Sequence, residues 1–197
     1  MDNGDIVNAV DYAVGYLIRP AQPSDVEHLP AIERAAAQRY VPYLGPLGLT
    51  PGILDDIVSV DFLNQALHQR HLWVAAMAKP QTTLVGFVVV DRLPTGYFVV
   101  ELDVLPDSGR QGIGTALMKQ VVEAARQQGF TTVTLTTFRH VPWTIPFYQR
   151  LGFEIVVPED YTPDICAIVN HEEHHGFSRQ VRVVMQCQIP SSLPPPQ

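Results

Sequence analysis

The chain has little of what several protein classes require. No uninterrupted apolar segment reaches the roughly 20 residues that span a bilayer, so no transmembrane helix is expected. Cysteine occurs only at Cys166 and Cys187, with neither a Cys-x-x-Cys pair nor a His-linked zinc spacing, and in a reducing compartment both read as buried or idle thiols. Basic residues are few: 13 Lys and Arg stand against 20 Asp and Glu, for a formal net charge of -7 and a pI near 5.4. With no basic run, a surface that binds nucleic acid regardless of sequence is excluded. An acidic envelope slightly favours a cationic acceptor such as an amine. Residues 1–15 carry Asp2, Asp5 and Asp11 and no Lys or Arg, unlike a signal or transit peptide. These absences predict a cytoplasmic protein with neither membrane nor nucleic acid as partner.

What is present fits one globular domain. At 197 residues, 46% hydrophobic and 17% charged, the chain is long enough for a single sizeable core. The expected organisation is an N-terminal extension over 1–15, one domain over 16–189 and a disordered proline-rich tail over 190–197. Tyr16 to Ala21 reads as a strand, followed by a helix from Asp25 to Tyr40 that Ser24 or Asp25 can cap. Tyr43 to Gly52 holds three glycines and two prolines, so it is expected to be an irregular loop that packs. A helix over Leu54–His71 precedes strands at 73–78, 84–90 and 97–105, with a turn at Lys79-Pro80-Gln81 between the first two. A helix then runs from Gly112 to a C-terminal cap at Gly129, followed by a strand at 131–138 and a short helix at 141–151. Strands at 153–157 and 181–188 flank a last helix over 163–175. This order predicts an α/β fold with a mixed, largely antiparallel sheet flanked by helices.

The most informative stretch is Leu105-Pro-Asp-Ser-Gly-Arg-Gln-Gly-Ile-Gly-Thr-Ala-Leu117, a glycine-bearing turn between a strand and a helix. Gly112 and Gly114 let backbone approach a ligand closely, and the N–H groups that open the helix favour an anion. No Gly-Lys-Ser/Thr follows, which excludes a P-loop, and Leu117 stands where a dinucleotide fold needs its third glycine. With Pro-Phe-Tyr-Gln-Arg-Leu-Gly-Phe at 146–153, the chain resembles the GNAT superfamily of acetyl-CoA-dependent N-acetyltransferases over about 18–188. The resemblance implies a sheet whose central strands, here 97–105 and 131–138, splay apart to admit the donor. It implies that backbone groups of Leu102, Asp103 and Val104 meet the acetyl and pantetheine part of acetyl-CoA. Amides of Arg110, Gln111, Gly112, Ile113, Gly114 and Thr115 would meet the pyrophosphate. Two positions depart from the pattern: Gly109 stands where many members carry Arg or Gln, with Arg110 one place later, and Val141 stands where many carry Asn.

Acetyl transfer needs an unprotonated amine, donors for the developing oxyanion and a proton source for the leaving thiolate. Tyr148 matches the family tyrosine that protonates the thiolate, and a free phenol with a pKa of about 10 is suited to that transfer. Glu101, which alternates with Asp103 so that both point to one face of the strand, Glu33 on the first helix, and His140, with a near-neutral imidazole, are the candidate bases. In the family the first helix and the following loop line the acceptor pocket, which nominates Glu33, Tyr40 and Tyr43. His171-Glu-Glu-His-His175 places His171 and His175 on one helix face with His174 beside them, but a third ligand and a reason for zinc are both missing. No metal is therefore expected. The apolar, aromatic loop from Tyr40 to Leu49 suits a closed pocket and a small-molecule amine acceptor. A peptide or protein acceptor and a non-catalytic acetyl-CoA sensor are the alternatives, and a homodimer is left open.

Overall fold

The computed structural model describes residues 10–12, 15–77 and 83–190. The expected turn at 79–81 and all but the first residue of the expected tail over 190–197 lie outside them. The described strands are β1 (Val10–Tyr12), β2 (Tyr16–Pro20), β3 (Leu72–Met77), β4 (Thr83–Leu93), β5 (Gly96–Val104), β6 (Thr132–Phe138), β7 (Glu154–Ile155) and β8 (Arg182–Gln188). They form one sheet in the order β1-β2-β3-β4-β5-β6-β8-β7. The β5–β6 pair is parallel and the other pairs are antiparallel, as the sequence predicts. The 1–15 segment, read as an N-terminal extension, contributes β1. Gly15 adopts φ +85, a left-handed conformation that only glycine reaches cheaply, and the reversal it allows pairs Tyr12 with Tyr16.

The five α-helices are α1 (Leu29–Ala37), α2 (Val60–His68), α3 (Ile113–Gln127), α4 (Thr144–Gln149) and α5 (Pro163–His174). The helix expected over 25–40 is shorter, flanked by 3₁₀ turns at Pro23–His28 and Gln38–Tyr43. Pro30 suits the first turn of α1 and Pro42 cannot continue an α-helical ladder, because neither carries an N–H. The helix expected over 54–71 begins only at Val60, where the Ser59 hydroxyl accepts the Phe62 N–H at 3.2 Å and so satisfies one of the open donors of the first turn. The loop over 43–52 packs through buried Leu44 and Leu47. The strand expected over 153–157 is two residues long.

Helices cover both faces of the sheet. On one, Ile113, Leu117 and Val121 of α3 pack on Val88, Tyr97, Val99, Leu135 and Met185; on the other, Leu29, Ile32, Leu63 and Ala66 of α1 and α2 meet Val74, Phe87 and Val89. Each fully buried aliphatic side chain contributes about 1.5–3 kcal/mol, so these layers set β5 firmly between them. The feature that makes a site is how β5 meets β6. At one end the strands are tightly apposed, because a Cβ on Gly96 would lie 1.8 Å from the Thr132 carbonyl oxygen. The ladder then ends at Val99 and Leu135, while β5 stays paired to β4 as far as Val104 and β6 stays paired to β8 as far as Phe138. Beyond Val99 the two central strands part, as the family resemblance implies.

Candidate active site

The opening between β5 and β6 leads into a cavity of about 900 Å³ whose lining runs from the glycine turn to Tyr40, Asp103 and Tyr148. At the glycine end Gly112 caps α3 with φ +84, and its N–H neighbours in the first turn have no carbonyl of their own helix to bond. The positive end of a 15-residue helix therefore faces the cavity and favours an anion. Gly112, Gly114 and Thr115 line the wall with Gly109, Arg110 and Arg150. Gly114 also sets the distance between α3 and α4, since a Cβ there would sit 3.3 Å from Phe147 Cζ. Arg110 holds φ +61 whereas Gly109 sits at φ -64. The residue that needs left-handed backbone is thus the arginine, and the cost of about 1–2 kcal/mol is that of a Cβ in this region.

At the other end acidic groups converge. One oxygen each from Glu33 on α1 and from Glu101 and Asp103 on β5 lies within 4.8 Å of the other two. Glu33 accepts the Val58 N–H at 3.0 Å, and Glu101 accepts the Leu102 N–H at 3.3 Å. Burial, the Glu101 carboxylate and Asp56 push Glu33 up to about 7, against the Val58 hydrogen bond and Arg34. Burial and the facing carboxylates of Glu101 and Glu33 raise Asp103 well above the usual range, and burial also raises Glu101. Three carboxylates this close cannot all ionise cheaply, so the cluster holds on to protons more tightly than free carboxylates do. Such a set can hold a cation or take a proton from one.

Tyr148 reaches the same cavity. Burial first, then Tyr40, Glu101 and Asp103, raise its phenol far above the ordinary value, so its hydroxyl keeps its proton and is a hydrogen-bond donor. Burial and Glu101 likewise push Tyr40 up to about 12. Around these groups stands an aromatic wall: Tyr40 lies 5.3 Å from Phe138 and 5.9 Å from Trp143, and Tyr43 meets Trp143 edge-on at 5.1 Å. Arg182 sits between Phe138 and Phe177, 4.8 and 5.2 Å from their centroids. Its guanidinium grips Glu172 of α5 through two bonds of 2.8 and 3.0 Å and donates to Thr136.

Most of the residues singled out in the sequence are therefore brought to one place. Leu102, Asp103, Val104, Arg110, Gly112, Ile113, Gly114, Thr115, Tyr40 and Tyr148 line the cavity, Glu33 and Glu101 join Asp103 in the cluster, and Tyr43 supports Trp143. Gln111 instead donates to the Asp107 carbonyl at 3.5 Å, and its own carbonyl accepts the Tyr16 hydroxyl. His140 is exposed and outside the cavity lining. His171, His174 and His175 are exposed on and just after α5; His171 and His175 stack at 4.2 Å, and His174 and His175 bond to carbonyls of their own turn. Val141 is buried and brings no polar group to the position where the family pattern has Asn. Sequence reasoning missed Arg39, Trp143, Phe147 and Arg150 in the lining, and it gave Asp103 only a backbone role although its alternation with Glu101 places both carboxylates on one face.

Among the described residues, no helix is long and apolar enough to cross a membrane. The profile of the Acetyltransferase (GNAT) family matches residues 49–153. A probable N-acetyltransferase, camello, from Xenopus laevis is 33% identical over 100 residues, which cover 51% of this chain and 46% of the frog protein. The chain thus spans less than half the length of that curated relative. Among solved structures, PaiA N-acetyltransferase from Thermoplasma acidophilum, in complex with coenzyme A, aligns with TM-score 0.65 at 16% identity over 88% of this chain and 98% of its own. The ribosomal-protein-S18-alanine N-acetyltransferase of Escherichia coli aligns with TM-score 0.62 at 15% identity over 92% and 99%. At these identities the likeness is one of fold.

Proposed function

This chain belongs to the acetyltransferase (GNAT) family, and we propose that it moves acetyl from acetyl-CoA to a primary amine of a small molecule by direct attack in a ternary complex. The observation that carries the reading is the cavity that runs from the α3 N-terminus to Tyr148 and Asp103, with Glu33 and Glu101 clustered behind Asp103. Donor and acceptor can occupy its two ends together, so no covalent enzyme intermediate is needed. The amides of α3 and the side chains of Arg110 and Arg150 would hold the diphosphate. The β5 backbone over 102–104, which has lost β6 as a neighbour, would bond the pantetheine amides and the acetyl oxygen.

In the reaction the amine nitrogen forms a bond to the thioester carbon and the carbon–sulfur bond breaks. The nitrogen's surplus proton passes to the carboxylate cluster, with Glu101 as the assigned base, directly or through water. A carboxylate whose affinity for a proton is raised by burial is matched to that task. The Tyr148 hydroxyl donates its hydrogen bond to the departing sulfur, and the proton collected by the cluster completes the thiol. The aromatic wall of Tyr40 and Trp143, with Tyr43 against Trp143, favours a small acceptor over a polypeptide.

The test is thiol release from acetyl-CoA against separate panels of alkylamines, arylamines, amino acids and peptides. Release with a small amine, abolished by mutations in the α3 turn, supports the reading. Release with peptides alone would replace the acceptor class, and acetyl-CoA binding without release by any acceptor would favour a sensor.

A further inference from the structure

The cluster of Glu33, Glu101 and Asp103 is unfinished as a hydrogen-bonding group. Glu33 and Asp103 are 6% and 8% exposed, and each keeps one buried oxygen, Glu33 Oε2 and Asp103 Oδ2, without a hydrogen-bond partner among the described residues. A buried carboxylate oxygen left bare carries its full desolvation penalty unless a donor completes it. Asp103 lines the cavity, so that donor can come from a ligand. A primary ammonium has three N–H donors around one positive charge, one for each carboxylate.

A second open valence lies in the same cavity. Arg39 lines it beside Tyr40, Asp103 and Trp143, with its guanidinium 4.9 Å from the Trp143 ring centroid. Among the described residues Arg39 enters no ion pair. Arg182, the other guanidinium on the aromatic wall, is committed to Glu172. The contact with Trp143 uses the face of the ring and leaves the Arg39 fork of donors for an anion, and carboxylate is the group that fork fits best.

We infer that the acceptor is an α-amino acid, with its ammonium seated among Glu33, Glu101 and Asp103 and its carboxylate on Arg39. This rests on the acetyl-transfer reading above. A simple alkylamine or a polyamine would leave Arg39 unanswered, and a polyamine would bring a second positive charge towards it. An arylamine, uncharged at neutral pH, would leave the carboxylates unanswered. The ammonium gives one proton to the cluster before attack, which the raised affinity of these carboxylates for protons favours. Its nitrogen then bonds to the acetyl carbon as the carbon–sulfur bond breaks, and the second proton it sheds passes to the departing sulfur, giving an N-acetylamino acid and the CoA thiol. The product amide carries no charge and one N–H, so the three carboxylates no longer retain it and release is favoured.

Paired acceptors test the inference: phenylalanine with phenethylamine, leucine with isopentylamine, histidine with histamine, each followed by thiol release. The amino acid should exceed its decarboxylated partner in kcat/KM by roughly ten-fold or more, the scale of one charge-assisted hydrogen-bond pair. Arg39→Gln, at an exposed position that folding tolerates, should erase the difference by raising KM for the amino acid while leaving KM for acetyl-CoA unchanged, and Arg39→Lys should restore part of it. Decarboxylated amines used equally well would overturn the inference while keeping acetyl transfer. So would an Arg39→Gln effect confined to acetyl-CoA, or loss of activity on chelation that a divalent cation restores, which would make the cluster a metal site. Thiol release with no acceptor of any class would instead remove the acetyl-transfer reading itself.

Discussion

Glu33→Gln should make the ligand-free protein more stable at alkaline pH, although it alters a buried residue that accepts a hydrogen bond. Glu33 titrates near 7 in the folded chain against an ordinary value of 4.5, the latter standing for the unfolded state. The folded form thus binds more protons than the unfolded form between those values. The group's contribution is complete below about pH 4.5, and stability falls as pH rises through about 7 and levels off above it. Integrating the two titrations gives a loss of about 3 kcal/mol at about pH 8 and under about 1 kcal/mol at about pH 5. Glutamine has no charge to bury, its Oε1 can keep the Val58 N–H, and its amide donors can turn to the bare oxygen of Asp103. The substitution also removes a negative neighbour that raises Asp103. Urea unfolding of both proteins, followed by far-ultraviolet circular dichroism at about pH 5 and about pH 8, should show a gain of about 1–3 kcal/mol that is largest at the higher pH. A mutant less stable than the parent at both pH values, or a difference that does not change between them, would refute the idea that these carboxylates are held together at a cost.

Four further outcomes follow from the same geometry. Tyr148→Phe removes only the hydroxyl proposed to donate to the leaving sulfur, so kcat should fall by roughly ten-fold to a few hundred-fold with little change in KM for acetyl-CoA. Gly112→Val should abolish the acetyl-CoA-induced rise in melting temperature, since a branched residue is strained at φ +84 and a Cβ would already lie 3.3 Å from the Tyr16 hydroxyl. Arg110→Gly relieves left-handed strain and should raise ligand-free stability by about 1 kcal/mol while weakening acetyl-CoA binding; calorimetry measures both, and weaker stability would show that the arginine side chain anchors the turn. Changing His171, His174 and His175 together to Gln should leave turnover intact, whereas a folded but inactive triple mutant rescued by zinc would make that cluster functional.

The parts of this molecule that were legible in the sequence are those that local chemistry dictates. The glycine turn announces its helix because Gly112 and Gly114 are needed where backbone and ligand, or backbone and Phe147, come close. The β-branched run of β6 and the alternation of Glu101 with Asp103 likewise depend on neighbours along the chain. What the sequence hides is set by contacts across it. The turn at Gly15 and the Tyr12–Tyr16 pair occupy too few residues to show a period, so β1 had no pattern to betray it. The break in the β5–β6 ladder is not written in either strand: Gly96 clasps Thr132 at one end, and the pairing stops at Val99 and Leu135 although both strands run on. Arg39 and Trp143 lie 104 positions apart in the sequence, and only the folded chain stacks them.

The two ends of the cavity differ in what they cost the fold, and that difference carries the functional argument. The α3 turn presents donors that every helix N-terminus must leave open, so binding an anion there adds little to the burden of folding beyond the strained Arg110. The acidic end is built against stability. Glu33, Glu101 and Asp103 are held together where apolar or neutral residues would pack without repulsion, and two of their buried oxygens go without donors. A core under selection for stability alone would discard such a cluster, whereas buried groups with raised proton affinity gather where chemistry needs them. The ion pair of Arg182 with Glu172 shows the contrast within the same wall, since there each charge is answered and nothing is left for a ligand. On the reading proposed above, the two bare carboxylate oxygens and the guanidinium of Arg39 therefore mark the acceptor's place more firmly than the aromatic lining does, because aromatic rings also serve ordinary packing.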